Sequence, residues 1–181
     1  MAAEEAVAAP RPTWSAPPAL VSVGVIAVAA LSFAKFEDIG QALVGAIFSG
    51  VLVVLAAIDL EQRIIPNRIV LPAGVVVLAG NAVVDADSAW EYVISAGVAL
   101  AVALVISLAS RGGLGMGDTK LCFLLGAGLG WNVIDALLLA CIGAFVAAVT
   151  ILVRRGMGSR KETFPFGPFL ALGGIVALFL N

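Results

Sequence analysis

Long apolar runs, broken by short clusters of charged and turn-forming residues, make up most of the chain. The runs are continuous rather than alternating, which argues for helices over the two-residue period of a strand. A helix needs about 20 mostly apolar residues to cross a hydrocarbon core of about 30 Å. On that measure seven segments qualify, at 18–34, 41–59, 69–84, 91–109, 120–132, 133–153 and 164–180. They are rich in Ala, Val, Leu and Gly, which lets helices approach closely in lipid. The fifth segment is short. Its Gly126 and Gly130 form a small-xxx-small pair suited to a neighbouring helix, and a re-entrant piece is the alternative.

The charges orient these spans. Arg11, Arg63, Arg68, Arg111, Lys120, Arg154, Arg155, Arg160 and Lys161 fall on one side, and Lys35 alone falls on the other. Cytoplasmic loops carry the excess of Lys and Arg. The bias therefore predicts an all-α polytopic membrane protein of about seven transmembrane helices, with a cytoplasmic N-terminus and the C-terminus outside. The opposite loops hold Glu37, Asp38, Asp85, Asp87 and Glu91, in agreement. Residues 1–17 lack a basic n-region and read as a flexible cytoplasmic tail ahead of an uncleaved anchor, with 18–181 as a single membrane domain.

Composition narrows the chemistry. Of 181 residues, 62% are hydrophobic and 12% charged, against about 45–50% and about 25% in soluble domains. A water-soluble globule and a disordered chain are excluded. With 10 Lys and Arg against 12 Asp and Glu, no basic surface is offered to nucleic acid. There is no His, so a His base, a His metal ligand and a Ser–His pair are excluded within the chain. The two cysteines, Cys122 and Cys141, cannot complete a four-ligand zinc site alone. No metal site and no cofactor are expected.

Acidic residues at membrane depth are costly and mark functional sites by default. Two stand out. Asp59 ends the second apolar run in VLVVLAAIDLEQRIIPNRIVLP, and Asp118 lies in SRGGLGMGDTKLCFLLG before the fifth. The predicted topology puts both at cytoplasmic helix ends, at similar depth. Each also has a purely structural reading: Asp59 as an interfacial acid, Asp118 as the N-cap of the fifth helix, with Asn67 starting the third. Gly112, Gly113, Gly115 and Gly117 make a loop of little bulk before Asp118, which suits an extended peptide lying beside a carboxylate. A phosphate cradle lacks its strand–loop–helix context and GK[ST] ending. Two carboxylates meeting in an aqueous pocket are the minimum for acid/base peptide hydrolysis, and close together they tend to share a proton.

The stretch from Asp59 through Pro66 and Asn67 resembles the first aspartate motif of type IV prepilin peptidases. Gly115-Met-Gly117-Asp118-Thr-Lys120 resembles their second, the GxGD signature shared with presenilin and the archaeal preflagellin peptidases. Phe164-Pro-Phe-Gly167-Pro168 through Gly173 is similar to the start of the family's final helix. The resemblance implies that Asp59 and Asp118 are the catalytic pair and that Gly115 and Gly117 shape the substrate approach. It gives Lys120, Pro66 and Asn67 supporting places, with Lys120 holding a loop or facing the acids. Glu61 and Arg63 match looser positions and read as solvated loop residues, while Pro165 and Gly167 aim the last helix. The implied partner is a prepilin or pseudopilin precursor in the lipid bilayer of the cell inner membrane, cut at the cytoplasmic boundary between a short basic leader and an apolar helix. Longer members of the family carry a cytoplasmic four-cysteine domain linked with N-methylation. The first cytoplasmic segment here has no Cys, so the peptidase activity alone is expected. The alternative is a small proton- or cation-coupled transporter or channel subunit using the same acids, though no acid falls at mid-span as such a path requires. Oligomeric state is open at this level.

Overall fold

The computed structural model describes residues 18–110, 114–155 and 165–181, with the backbone alone at 155. The tail at 1–17, Arg111, Gly112, Gly113, Arg160, Lys161 and Phe164 lie outside the described residues. Among the described residues the chain is helical: α1 (Pro18–Lys35), α2 (Ile39–Gln62), α3 (Asn67–Val84), α4 (Ala89–Ala109), α5 (Met116–Leu129), a 3₁₀ turn at Gly130–Asn132, α6 (Val133–Arg155) and α7 (Gly167–Leu180). Helices α1 to α4 and the run Met116–Arg154 are long and apolar enough to cross a membrane, and α7 is a shorter apolar helix. Large apolar side chains such as Leu20, Ile26, Val105, Phe145 and Val153 are exposed on the outside of the bundle. That surface suits lipid, and the protein is a multi-pass membrane protein.

Neighbouring helices alternate in direction. Gly24 of α1 faces Val53 of α2, and Gly45 of α2 faces Phe36. Gly40 of α2 faces Val84 of α3, and Gly80 of α3 faces Val44. The Asn181 amide at the end of α7 donates to Asp135 at the start of α6. Helices α3 and α5 run in parallel, joined by Lys120–Asn67 at one end and Asn81–Ala127 at the other. Charge divides with the ends. Arg63, Arg68, Lys120 and Arg154 gather at one end of the bundle, together with Asp59, Glu61 and Asp118. Lys35, Glu37, Asp38, Asp85, Asp87, Glu91 and Asp135 gather at the other.

Helix α5 is the centre of the bundle, packed against α3, α4 and α7. Leu121, Leu124, Leu125 and Ala127 are fully buried there beside Phe48, Leu52, Val70 and Leu170. Lipid offers helices little hydrophobic reason to associate, so close backbone approach and interhelical hydrogen bonds do more of the work. A Cβ on Gly126 would stand 2.6 Å from the Ala96 Cα of α4. The last carbonyls of a helix lack partners within it. Here Ser95 Oγ donates to Gly126 O at 2.9 Å and Asn81 Nδ2 to Ala127 O at 2.9 Å. Gly130 works differently from its expected pairing with Gly126. It ends α5 at φ 57°, a left-handed backbone that glycine adopts freely, and turns the chain toward α6. The fifth segment is therefore an interior helix of the bundle, and α5 and α7 have 14 residues each.

Candidate active site

The two loops singled out in the sequence meet at the basic end of the bundle. Helix α2 carries Asp59 one turn before its end, and Arg63 closes the helix with its N–H on Asp59 O at 2.9 Å. After Arg63 the chain passes through Ile64 and Ile65 to Pro66, which is extended and serves as the N-cap residue of α3. Proline restricts the residue before it to extended backbone and fits the first turn of a helix, so Ile-Pro-Asn ends one helix and begins the next within a few residues. Asn67 is the first residue of α3, as one reading of the sequence anticipated.

Asp118 is not the N-cap of α5. Gly115 takes that position, extended at φ −63° and ψ 143°, and the helix begins at Met116. Gly117 and Asp118 are thus helical rather than part of the glycine loop. In its first turn Asp118 leans back over Gly115: a Cβ at Gly115 would meet its Oδ2 at 3.1 Å. The carboxylate consequently sits at a helix N-terminus, where the orphan amides and the dipole favour negative charge. Thr119, buried beside it, donates from Oγ1 to Gly115 O, and Ser107 Oγ of α4 donates to Leu114 O at 2.8 Å.

Asp59 and Asp118 line one open cavity of about 420 Å³. Its other lining residues are Arg63, Ile64, Ile65, Pro66, Asn67, Gly115, Met116, Gly117 and Lys120. All seven residues singled out by sequence therefore come together. Asp59 is 6% exposed, and its Oδ2 is buried with no hydrogen-bond partner among the described residues. Orphaned buried acceptors are rare and call for an explanation.

Each supporting residue has a contact. Gly117 leaves room for Ile65, whose Cβ would lie 2.9 Å from a Cβ at position 117. Lys120 Nζ donates to Asn67 Oδ1 at 2.6 Å, tying the start of α3 to α5 across the cavity.

Three features were missed. Gly167, expected only to aim the last helix, is pressed on Asp59: a Cβ there would lie 2.6 Å from Oδ2 and 3.0 Å from Cγ. Gly167 is the first residue of α7, so the carboxyl lies against that helix's N-terminus. Arg63 is exposed just past the end of α2, as expected, but it also lines the cavity, which was not expected. Ile64 and Met116, both exposed, stand on its rim. Their adjacency to the aspartate motifs was the available signal for Ile64 and Met116. Nothing in the sequence pointed to Gly167 lying against Asp59. Among the described residues no three His, Cys, Asp or Glu side chains gather as metal ligands.

Comparison with known proteins places the chain in a family. Residues 46–158 match the type IV leader peptidase family. A prepilin leader peptidase/N-methyltransferase from Burkholderia pseudomallei (strain 1026b) is 33% identical over 90% of this chain and 54% of its own length. The protein of that name from Aeromonas hydrophila is 34% identical over 75% of this chain and 49% of its own. The one from Bacillus subtilis (strain 168) is 29% identical over 87% and 62%. No solved structure matches the chain. The chain belongs to the type IV leader peptidase family. It spans about half the length of the curated relatives it matches.

Proposed function

We propose that this protein is an aspartyl endopeptidase that removes the short basic leader from prepilin-like precursors, with Asp59 and Asp118 as the catalytic pair. The observation that carries the reading is their meeting in one open cavity of about 420 Å³, formed by both aspartate motifs. A water occupies about 30 Å³ of liquid, so the cavity has room for a nucleophilic water and a stretch of extended backbone. One carboxylate takes a proton from water while the other gives one to the scissile carbonyl oxygen. The unpartnered Asp59 Oδ2 is a natural acceptor for that water. Residues 18–181 act as one peptidase unit, with Gly115 and Gly117 shaping the approach and Lys120, Pro66 and Asn67 holding the cavity wall.

The same reading sets the protein in the inner membrane. All seven helices cross, the N-terminus is cytoplasmic and the C-terminus lies outside. The division of charge between the two bundle ends supports this, because cytoplasmic ends carry the basic excess. The cavity then opens at the cytoplasmic boundary, where a basic leader gives way to an apolar helix. The relatives named above carry peptidase names, and the transporter alternative gains no support from them.

The test uses detergent-purified protein and a precursor with a basic leader and an apolar first helix, read by mass spectrometry. Wild-type protein should release a leader-sized fragment. Asp59→Asn and Asp118→Asn should each reduce cleavage to background while purifying and melting as the wild type does. Near-normal processing by either variant removes the dyad.

A further inference from the structure

A serine or threonine inside a helix commonly turns its hydroxyl back on the carbonyl one turn earlier. Ser32 does so on Val28 O at 3.0 Å, Ser49 on Gly45 O at 2.7 Å and Thr150 on Val146 O at 2.7 Å. Ser107, in the last turn of α4, does not. It is buried, and its Oγ donates out of the helix to Leu114 O at 2.8 Å. A hydroxyl has one proton to give, so Leu114 takes all of it. Three residues on, Ser110 Oγ accepts from Leu114 N at 3.3 Å. Both backbone polar groups of Leu114 are thus held by α4, and its side chain packs against the buried core.

Leu114 immediately precedes the N-cap residue of α5. That residue, Gly115, has no Cβ to fix its own backbone, so its place is set by what flanks it. On the far side, Gly115 O accepts from Thr119 N at 3.1 Å and from Thr119 Oγ1 at 3.3 Å. The Asp118 carboxyl leans over Gly115 within the same turn. Only Leu114 and Gly115 therefore separate the α4 hydroxyls from the turn that carries the second acid. Asp59, by contrast, lies inside a helix of 24 residues.

We infer that Ser107, seconded by Ser110, is a positioning residue. It docks Leu114 on α4, fixes where α5 begins, and so places the Asp118 carboxyl in the cavity that it shares with Asp59. This rests on the proteolytic reading. Ser107 lies outside the cavity lining and touches no reacting atom. Its effect is on geometry, and misplacing a reacting group by about 1 Å costs on the order of 100-fold in rate.

The same helix supplies a control. Twelve residues before Ser107, about 18 Å along the α4 axis, buried Ser95 donates from Oγ to Gly126 O at 2.9 Å, at the other end of α5. Ser107→Ala and Ser95→Ala each remove one buried serine bond to a backbone carbonyl, so both should melt a few degrees lower, by similar amounts. The test measures kcat, KM and melting temperature for the detergent-purified chains on the precursor above. Ser107→Ala should lose about tenfold in kcat with KM within about twofold, whereas Ser95→Ala should keep both within about twofold of wild type. Ser110→Ala, at an exposed position, should melt as the wild type does and lose about threefold in kcat. Unchanged kcat in Ser107→Ala, an equal loss in Ser95→Ala, or a loss confined to KM overturns the inference and leaves the proteolytic reading standing. If Ser107→Ala does not fold, Ser110→Ala decides: slower turnover at the wild-type melting temperature supports the inference, and unchanged kcat overturns it. A wild-type chain that cleaves no precursor overturns both.

Discussion

Gly167→Ala puts the geometry of Asp59 to a direct test. The added methyl would lie 2.6 Å from Oδ2, 3.0 Å from Cγ and 3.3 Å from Cβ of Asp59. Relief to an ordinary carbon–oxygen contact of about 3.4 Å moves either the carboxyl or the start of α7 by about 0.8 Å. The helix can give little ground. Pro168 follows at once, and Leu170 and Ala171 are buried one turn on. The displacement therefore falls on the carboxyl. Overpacking of this kind costs about 1–3 kcal/mol of stability, and misplacing a reacting group by about 1 Å costs on the order of 100-fold in rate. Initial rates of leader release by purified protein, with thermal melting measured in parallel, separate the two effects. The expected result is a loss of roughly 100-fold in kcat with a folded protein that melts a few degrees lower. Cleavage within about twofold of wild type, at any melting temperature, would refute the claim that the Gly167 backbone sets the position of Asp59.

Two further substitutions follow from the cavity wall. Gly117→Val should lower the cleavage rate by crowding Ile65, and adding Ile65→Ala should recover part of it. A double-mutant cycle in which the two losses simply add would deny that contact. Lys120→Met should remove the bond to Asn67, costing about 1 kcal/mol of stability and a few-fold in rate, measured by melting and initial rates together.

The helices were legible because lipid-spanning segments announce themselves by length and apolarity alone. The predicted spans at 41–59 and 69–84 differ from α2 and α3 by a few residues at the ends, where polar residues such as Glu61, Gln62 and Asn67 are helical too. The pairing of Asp59 with Asp118 was legible because both fall at the same predicted helix ends. Helix α5 was harder. Asp118-Thr-Lys has the look of an N-cap followed by a first turn, and sequence does not reveal that Gly115, in extended conformation, has already started the helix. Gly126 was expected at a helix interface and lies in one with α4, whereas its presumed partner Gly130 serves a turn. The contact of Gly167 with Asp59 depends on how α7 docks against α2, which no local pattern encodes. The left-handed Arg63 runs against local preference, so propensity could only mispredict it.

The two short helices, α5 and α7, begin at the carboxylates and pack side by side. At 14 residues each they rise about 21 Å, well under the roughly 30 Å of a hydrocarbon layer. On the proposed membrane reading, lipid against the exposed Leu172, Val176 and Leu180 of α7 thins to meet that helix, since mismatch is relieved by deforming lipid more readily than by stretching a helix, while α5 lies inside the bundle. The dimple so formed carries headgroups and solvent down to the acids. On the proposed function, a single-span client then brings its peptide bond to water while the rest of its apolar helix stays in oil.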